Sequence, residues 1–362
     1  MIIAAAAALL LLAVIAVLAL ILVSGGDPVD FVQTQLIRLR LAGQEDVLNT
    51  AMSSDRTPVR FIVNSGDTPR AIAANLTNTG LIADADVFVD FVRLQDWDTE
   101  LEAGTYFLNA AQTIPEIAEA LTDSRGSFIP FRIIEGWRIE QVAEAIDANP
   151  LFGFSGADFL MVVGQGATPD ADFAAAVGLP GGTSYEGFLF PNTYSLPPDI
   201  TPIELRRALT DEYLVQVRST GVDSAAAAQG WTLHQVTTLA SIVQREAVRI
   251  DEAPQIAGVY RNRLDIGMKL DADPTVQYPL GEPGDWWPQI TRADYTGVIS
   301  PYNTYLNPTL PPGPIANPGL AMLQAVVDPT PSEFFYFQAE CDGSGYHRFA
   351  LTFDEHLANS CS

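Results

Sequence analysis

Over residues 232–250 the apolar positions Leu233, Val236, Leu239, Ala240, Val243, Ala247 and Ile250 recur at three- and four-residue steps. That spacing predicts an amphipathic helix. At about 100° per residue, Glu246 falls between Ile242 and Ile250 on the apolar side, and Arg245 points the other way, to solvent. A carboxylate on the buried side of a helix is costly unless it is paired, protonated or put to use. Elsewhere the period changes. Val59, Phe61 and Val63 alternate as in a strand, and Asn64-Ser65-Gly66-Asp67 supplies a turn. Thr68 or Asp67 then caps a helix with Pro69 in its first turn. A second helix around Ala85–Leu94, the stretch LEAGTYFL and a helix opening on Thr113 complete a small α+β module.

A further unit starts after Ser127, with a strand over residues 128–134 and a helix over 138–146. Residues 149–196 are rich in Gly and Pro, and helices follow at 202–220, 232–250 and 254–264. The proline- and aromatic-rich stretch after Lys269 reads as ordered, irregular surface, and the C-terminal segment as a hairpin turning at Gly343-Ser344-Gly345 before a short helix. The pattern as a whole is α+β, divided into residues 1–24, a spacer over 25–57, the module over 58–126 and a larger α+β domain over 127–362.

Residues 1–23 carry no charged or polar side chain. At about 1.5 Å per residue the run reaches roughly 34 Å, enough to span a bilayer. A cleavable signal peptide would show a basic start, a shorter apolar core and an Ala-x-Ala-like exit, and none of these is present. The expectation is an uncleaved N-terminal transmembrane helix. No Lys or Arg precedes it and Arg38 and Arg40 follow it, so charge leaves its orientation open.

The formal charge of −25 over 362 residues, with Lys269 the only lysine, argues against a nucleic-acid partner. The two cysteines, Cys341 and Cys361, form either one bridge or two free thiols, and no Cys/His cluster has metal-ligand spacing. No organic cofactor or metal is expected.

Two explanations stand for Glu246. Arg249, three residues on, suits an ordinary helical ion pair. Alternatively, an apolar setting keeps the carboxyl partly protonated, as a general acid requires. Tyr278, Trp286, Trp287, Tyr295, Tyr302 and Tyr305 offer rings suited to sugar faces or to core filling, with Asp273, Thr275, Asn303, Thr304 and Asn317 as hydrogen-bonding groups. Glu186, between Tyr185 and Gly187, is a possible second carboxylate of the kind a two-carboxylate glycosidase uses.

The segments LASIVQREA, NRLDIGMKLDADPTVQY, YNTYLNPTLPPGPIANPG and EGFLFPNTY together resemble the YceG-like endolytic murein transglycosylases, in the same order, from about Val59 to the C-terminus. The resemblance implies a LysM-like module followed by a catalytic domain. The enzyme would be held by one span in the cytoplasmic membrane, act on its extracytoplasmic side and work near peptidoglycan synthases. The reaction implied is non-hydrolytic cleavage of the β-1,4 bond between N-acetylmuramic acid and N-acetylglucosamine, leaving 1,6-anhydro ends. Gln244 replaces the first glutamate of the family's helix motif, which leaves the catalytic role to Glu246. Asn192 replaces the aspartate of the family's Phe-Pro-Asp-Thr-Tyr. Asp273, Tyr302, Asn303, Tyr305 and Glu186 are the candidate substrate-binding residues. A hydrolytic muramidase and a non-catalytic wall-binding protein are the alternatives.

Overall fold

The computed structural model describes residues 28–360, and within it the side chains of Pro28 and Arg125 are not described. The expected transmembrane helix lies outside the described residues. Among those described, no helix is long and apolar enough to cross a membrane. The chain divides after Phe128 into two compact units.

In the first unit, helices α1 (Pro28–Ala42) and α2 (Glu45–Asn49) precede strand β1 (Val59–Val63). Then come α3 (Pro69–Asn78), α4 (Ala85–Leu94), β2 (Gly104–Leu108) and α5 (Ile114–Ala120). The strands pair antiparallel with Phe61 opposite Tyr106. Alternation buries Phe61 and Val63 and leaves Ile62 exposed, so the register is set by which face meets the core. The expected turn forms: the Asn64 amide donates to Asp67 at 2.8 Å, and Gly66 takes the positive φ of +89° that a side chain would resist. Thr68 caps α3 by accepting from the Ala71 amide, and Thr113 and Glu116 form a capping box on α5. Residues 28–42, expected as part of a spacer, instead bring Ile37 and Leu41 into this core. Arg40 also pairs with the nearly buried Asp90 at 2.9 Å.

In the second unit, β3 (Ile129–Arg132) pairs antiparallel with β4 (Thr193–Leu196), Phe131 opposite Tyr194. Between them lie α6 (Ile139–Asp147), α7 (Gly156–Val163) and α8 (Ala171–Val177). Beyond β4 come α9 (Pro202–Ser219), α10 (Val222–Ala228), α11 (Leu233–Glu246), α12 (Ala253–Asp265), α13 (Pro274–Leu280), α14 (Asp294–Gly297) and α15 (Leu320–Val327). A hairpin of β5 (Tyr336–Ala339) and β6 (His347–Ala350) and a last helix, α16 (Phe353–Ala358), close the chain. Cys341, in the hairpin loop, is disulfide-bonded; Cys361 lies outside the described residues.

Helix α11 is the core of this unit. Val236, Leu239, Ala240, Ile242 and Val243 are fully buried, and α11 packs on α12 and α15. Its buried hydroxyls are satisfied, as burial demands. Thr237 and Thr238 donate to the Leu233 and His234 carbonyls, and Ser241 accepts from the Ile315 amide at 3.0 Å.

Candidate active site

Helix α11 begins with a reciprocal Thr232–Gln235 cap and stops at Glu246, because Ala247 turns to an extended ψ of 105°. The helix expected through residue 250 is therefore shorter, and Arg249 leaves the helical face. Arg249 instead donates to the Tyr346 hydroxyl at 3.1 Å and lies over that ring. The Arg249–Glu246 ion pair does not form. Arg245, expected in plain solvent, is exposed but lays its guanidinium 4.1 Å from the Trp287 ring centre.

Glu246 finds a different partner. The Tyr260 hydroxyl, buried on α12, donates to its Oε1 at 3.0 Å. Burial pushes the Glu246 carboxyl up to about 7, held back by the Tyr260 bond, pushed further by the negative Asp273 and pulled down by Arg263 and Arg245. Among the described residues no hydrogen bond reaches Oε2, and Glu246 lines a cavity of about 600 Å³.

Asp273 and Tyr305 line the same cavity, the Tyr305 hydroxyl donating to Asp273 Oδ1 at 2.6 Å. Tyr295 stacks on Tyr305 with centroids 4.1 Å apart and planes at 9°. Another wall comes from the β5–β6 hairpin and α16, through Tyr336, His347 and His356. Arg263 ties that wall to α12, donating from Nε to the Phe335 carbonyl at 2.6 Å and from Nη1 to the Leu270 carbonyl. Glu252 anchors His347 by accepting from its backbone amide and meeting Nδ1 at 2.9 Å.

The other candidates do not line this cavity. Asn303 is fully buried, and its side chain brackets a loop. Nδ2 donates to the Tyr295 and Val298 carbonyls, and Oδ1 accepts from the Tyr305 amide at 2.9 Å. It holds the Tyr295–Tyr305 pair in place rather than facing a ligand. Tyr302 is half-buried against the Tyr278 ring, 4.8 Å away. Thr275 and Thr304 bond each other at 2.8 Å in the core, and Asn317 bridges the Trp137 carbonyl and the Leu189 amide.

Glu186 is 1% exposed and accepts from the Ile139 amide, Tyr278 Oη and Asn317 Nδ2. Burial pushes its carboxyl up to about 8. Gly187 beside it has φ +87°, and a Cβ there would meet Pro314 at 2.4 Å, so the chain closes tightly over this acid. The Glu186 carboxyl is part of the packing.

The rings of Tyr278, Trp286 and Trp287, expected to be open to sugars or to fill core, are covered by cations: Arg138 lies 4.2 Å from the Tyr278 centroid and 4.9 Å from that of Trp286. The two positions that depart from the family motifs also lie elsewhere. Asn192 Nδ2 donates to Glu212 at 3.0 Å on the surface, where an aspartate would repel that carboxylate. Gln244 Oε1 accepts from the Gly319 amide, ahead of α15, at 2.9 Å.

Sequence reasoning passed over Tyr260, Arg263, His347 and His356. Tyr260 and Arg263 lie three apart on a helix that the pattern did predict, which puts them on one face. His347 sits on the C-terminal hairpin and His356 on the helix after it, both legible in the sequence; what no local pattern signals is that these elements fold against Glu246.

Known proteins bear on this site. The profile of the YceG-like family matches residues 61–361. An endolytic murein transglycosylase of Bacillus subtilis (strain 168) is 28% identical over 323 residues, covering 86% of this chain and 86% of that protein. One from Streptococcus pneumoniae (serotype 2, strain D39) is 26% identical over 84% of this chain, which spans 59% of its length. The crystal structure of a YceG-like protein from Listeria monocytogenes superposes with a TM-score of 0.55 at 28% identity, covering 84% of this chain and 99% of that one.

Proposed function

This chain belongs to the YceG-like family, and from that premise we propose that it is an endolytic murein lytic transglycosylase with Glu246 as its catalytic acid and base. The observation that carries the reading is the Glu246 carboxyl itself, pushed up to about 7 and lining a cavity beside Asp273 and the Tyr295–Tyr305 stack. A general acid works best when its proton is held near the working pH.

In the first step protonated Glu246 donates to the glycosidic oxygen between N-acetylmuramic acid and N-acetylglucosamine as the C1–O bond breaks. The carboxylate left behind then takes the proton of the muramoyl C6 hydroxyl, whose oxygen bonds to C1 and closes the 1,6-anhydro ring. Glu246 ends protonated, ready for another cycle, and no water is consumed. Tyr260 fixes the carboxyl by holding Oε1, which leaves Oε2 for the substrate. Asp273, with Tyr295 and Tyr305, lines the adjoining sugar site.

Residues 127–362 act as the catalytic domain and residues 58–126 as a LysM-like module that helps hold the strand. Residues 1–24 anchor the protein to the cytoplasmic membrane, with the catalytic domain on the extracytoplasmic side, near peptidoglycan synthases. Shortening of isolated strands by the full chain, lost in Glu246→Gln, is the expected behaviour; undiminished shortening by the variant would remove Glu246 from the mechanism. Retention of the full chain in membranes washed with alkaline carbonate, and release of a chain lacking residues 1–24, would support the anchor; release of both would refute it.

A further inference from the structure

The cavity beside Glu246 contains three acidic side chains, Glu246, Asp271 and Asp273, and two arginines, Arg263 and Arg292. The arginines differ in what they already hold. Arg263 is engaged by the Phe335 and Leu270 carbonyls and lies over the Tyr336 ring. Arg292 is exposed and, among the described residues, makes no hydrogen bond or ion pair.

Its nearest acid in sequence, Asp294, is taken: its Oδ2 accepts from the Thr291 amide and hydroxyl, both at 2.7 Å. Arg292 also stands on a firm mount. It lies three residues before Tyr295, which lines the same cavity and is stacked on Tyr305. What sets Arg292 apart is its place: it lines the cavity that holds Glu246, Asp271 and Asp273 and pairs with none of them. A neutral sugar does not call for a cation. A planar guanidinium with free N–H groups matches a carboxylate in a two-point grip.

Resting on the reading of this cavity as a murein site, we propose that Arg292 recognises a carboxylate on the substrate strand and so sets which strands are bound. Two sources share that chemistry. One is the lactyl carboxylate of muramic acid in a strand without peptides. The other is a carboxylate of the peptide stem, in strands where the lactyl group is consumed in an amide.

The test measures strand binding by titration calorimetry on the full chain carrying Glu246→Gln, with and without Arg292→Ala or Arg292→Lys. The probes are peptide-free strands and peptide-bearing strands, each with carboxylates intact or converted to neutral amides. With Arg292 present, amidation is expected to weaken binding about threefold to tenfold, as for a partly exposed ion pair. The preference should vanish in Arg292→Ala and partly survive in Arg292→Lys, and the probe pair showing it identifies the source. Equal binding of intact and amidated strands with Arg292 present, or a preference that persists in Arg292→Ala, would overturn the proposal, as would no binding by any form. Failure of the transglycosylase reading is seen separately, as an absence of anhydro ends from the native chain.

Discussion

The Tyr260 hydroxyl donates to Glu246 Oε1 across 3.0 Å, joining the middle of α12 to the last residue of α11. The bond stabilises the carboxylate and so opposes the burial that raises its pKa. In its proposed role as proton donor, Glu246 must be protonated when substrate binds, so kcat/KM is expected to fall as pH rises through about 7. Tyr260→Phe removes an interaction that favours the charged form, and its alkaline limb should move to higher pH. A pH–rate comparison of the two proteins checks this; a limb that stays put or moves down would contradict it.

Glu246 also weakens the fold. Its folded pKa of about 7 lies above the usual 4.5, so the folded state favours the proton. The favourable contribution is complete below the unfolded value and is lost as pH rises through 7. Glu246→Gln should therefore raise stability at pH 8, by on the order of 1–3 kcal/mol, and leave it nearly unchanged at pH 4. Denaturant unfolding at the two pH values measures the difference, and a variant less stable at pH 8 would be the contrary result.

Glu186 provides the contrast. With its carboxyl pushed up to about 8, it is mostly protonated at neutral pH and surrounded by donors. Glu186→Gln should retain strand cleavage within a few-fold, and Glu186→Ala should lose about 1–3 kcal/mol of stability by stranding those donors. Abolished cleavage in a well-folded Glu186→Gln would make it a second catalytic carboxylate after all.

Asn303 should matter through the loop it braces. Asn303→Ala frees the Tyr295 and Val298 carbonyls and the Tyr305 amide. The expected outcome is a loss of roughly 1–3 kcal/mol in unfolding free energy, with KM for strands rising more than kcat falls. Unchanged stability and KM would show that the bracket is dispensable.

The sequence made the elements with strong periodicity legible. The helix expected over residues 254–264 is Ala253–Asp265, and the one expected over 202–220 is Pro202–Ser219. The strand–turn–helix run from Val59 forms with its cap and its glycine turn. Helices α7 and α8 escaped because they are short and sit among glycines and prolines, and α13 because Pro279 lies inside it. At the site, the apolar position of Glu246 was readable, but the end of its helix was not, and with that end the Arg249 pairing disappears. Aromatic content was readable too. Only packing shows that the Tyr295–Tyr305 stack borders the cavity while arginines cover Tyr278, Trp286 and Trp287. Buried polar residues such as Asn303 and Glu186 look the same in sequence whether they bind a ligand or brace a loop.

The most direct test is the chemical identity of the ends released. Purified strands, freshly synthesised and peptide-bearing as well as peptide-free, would be treated with the full chain and the fragments weighed by mass spectrometry. Internal fragments ending in 1,6-anhydro-N-acetylmuramic acid, made by the native chain and missing with Glu246→Gln, are the expected result. Reducing ends in their place would mean that water, not the C6 hydroxyl, attacks C1, and would contradict the single-carboxyl mechanism.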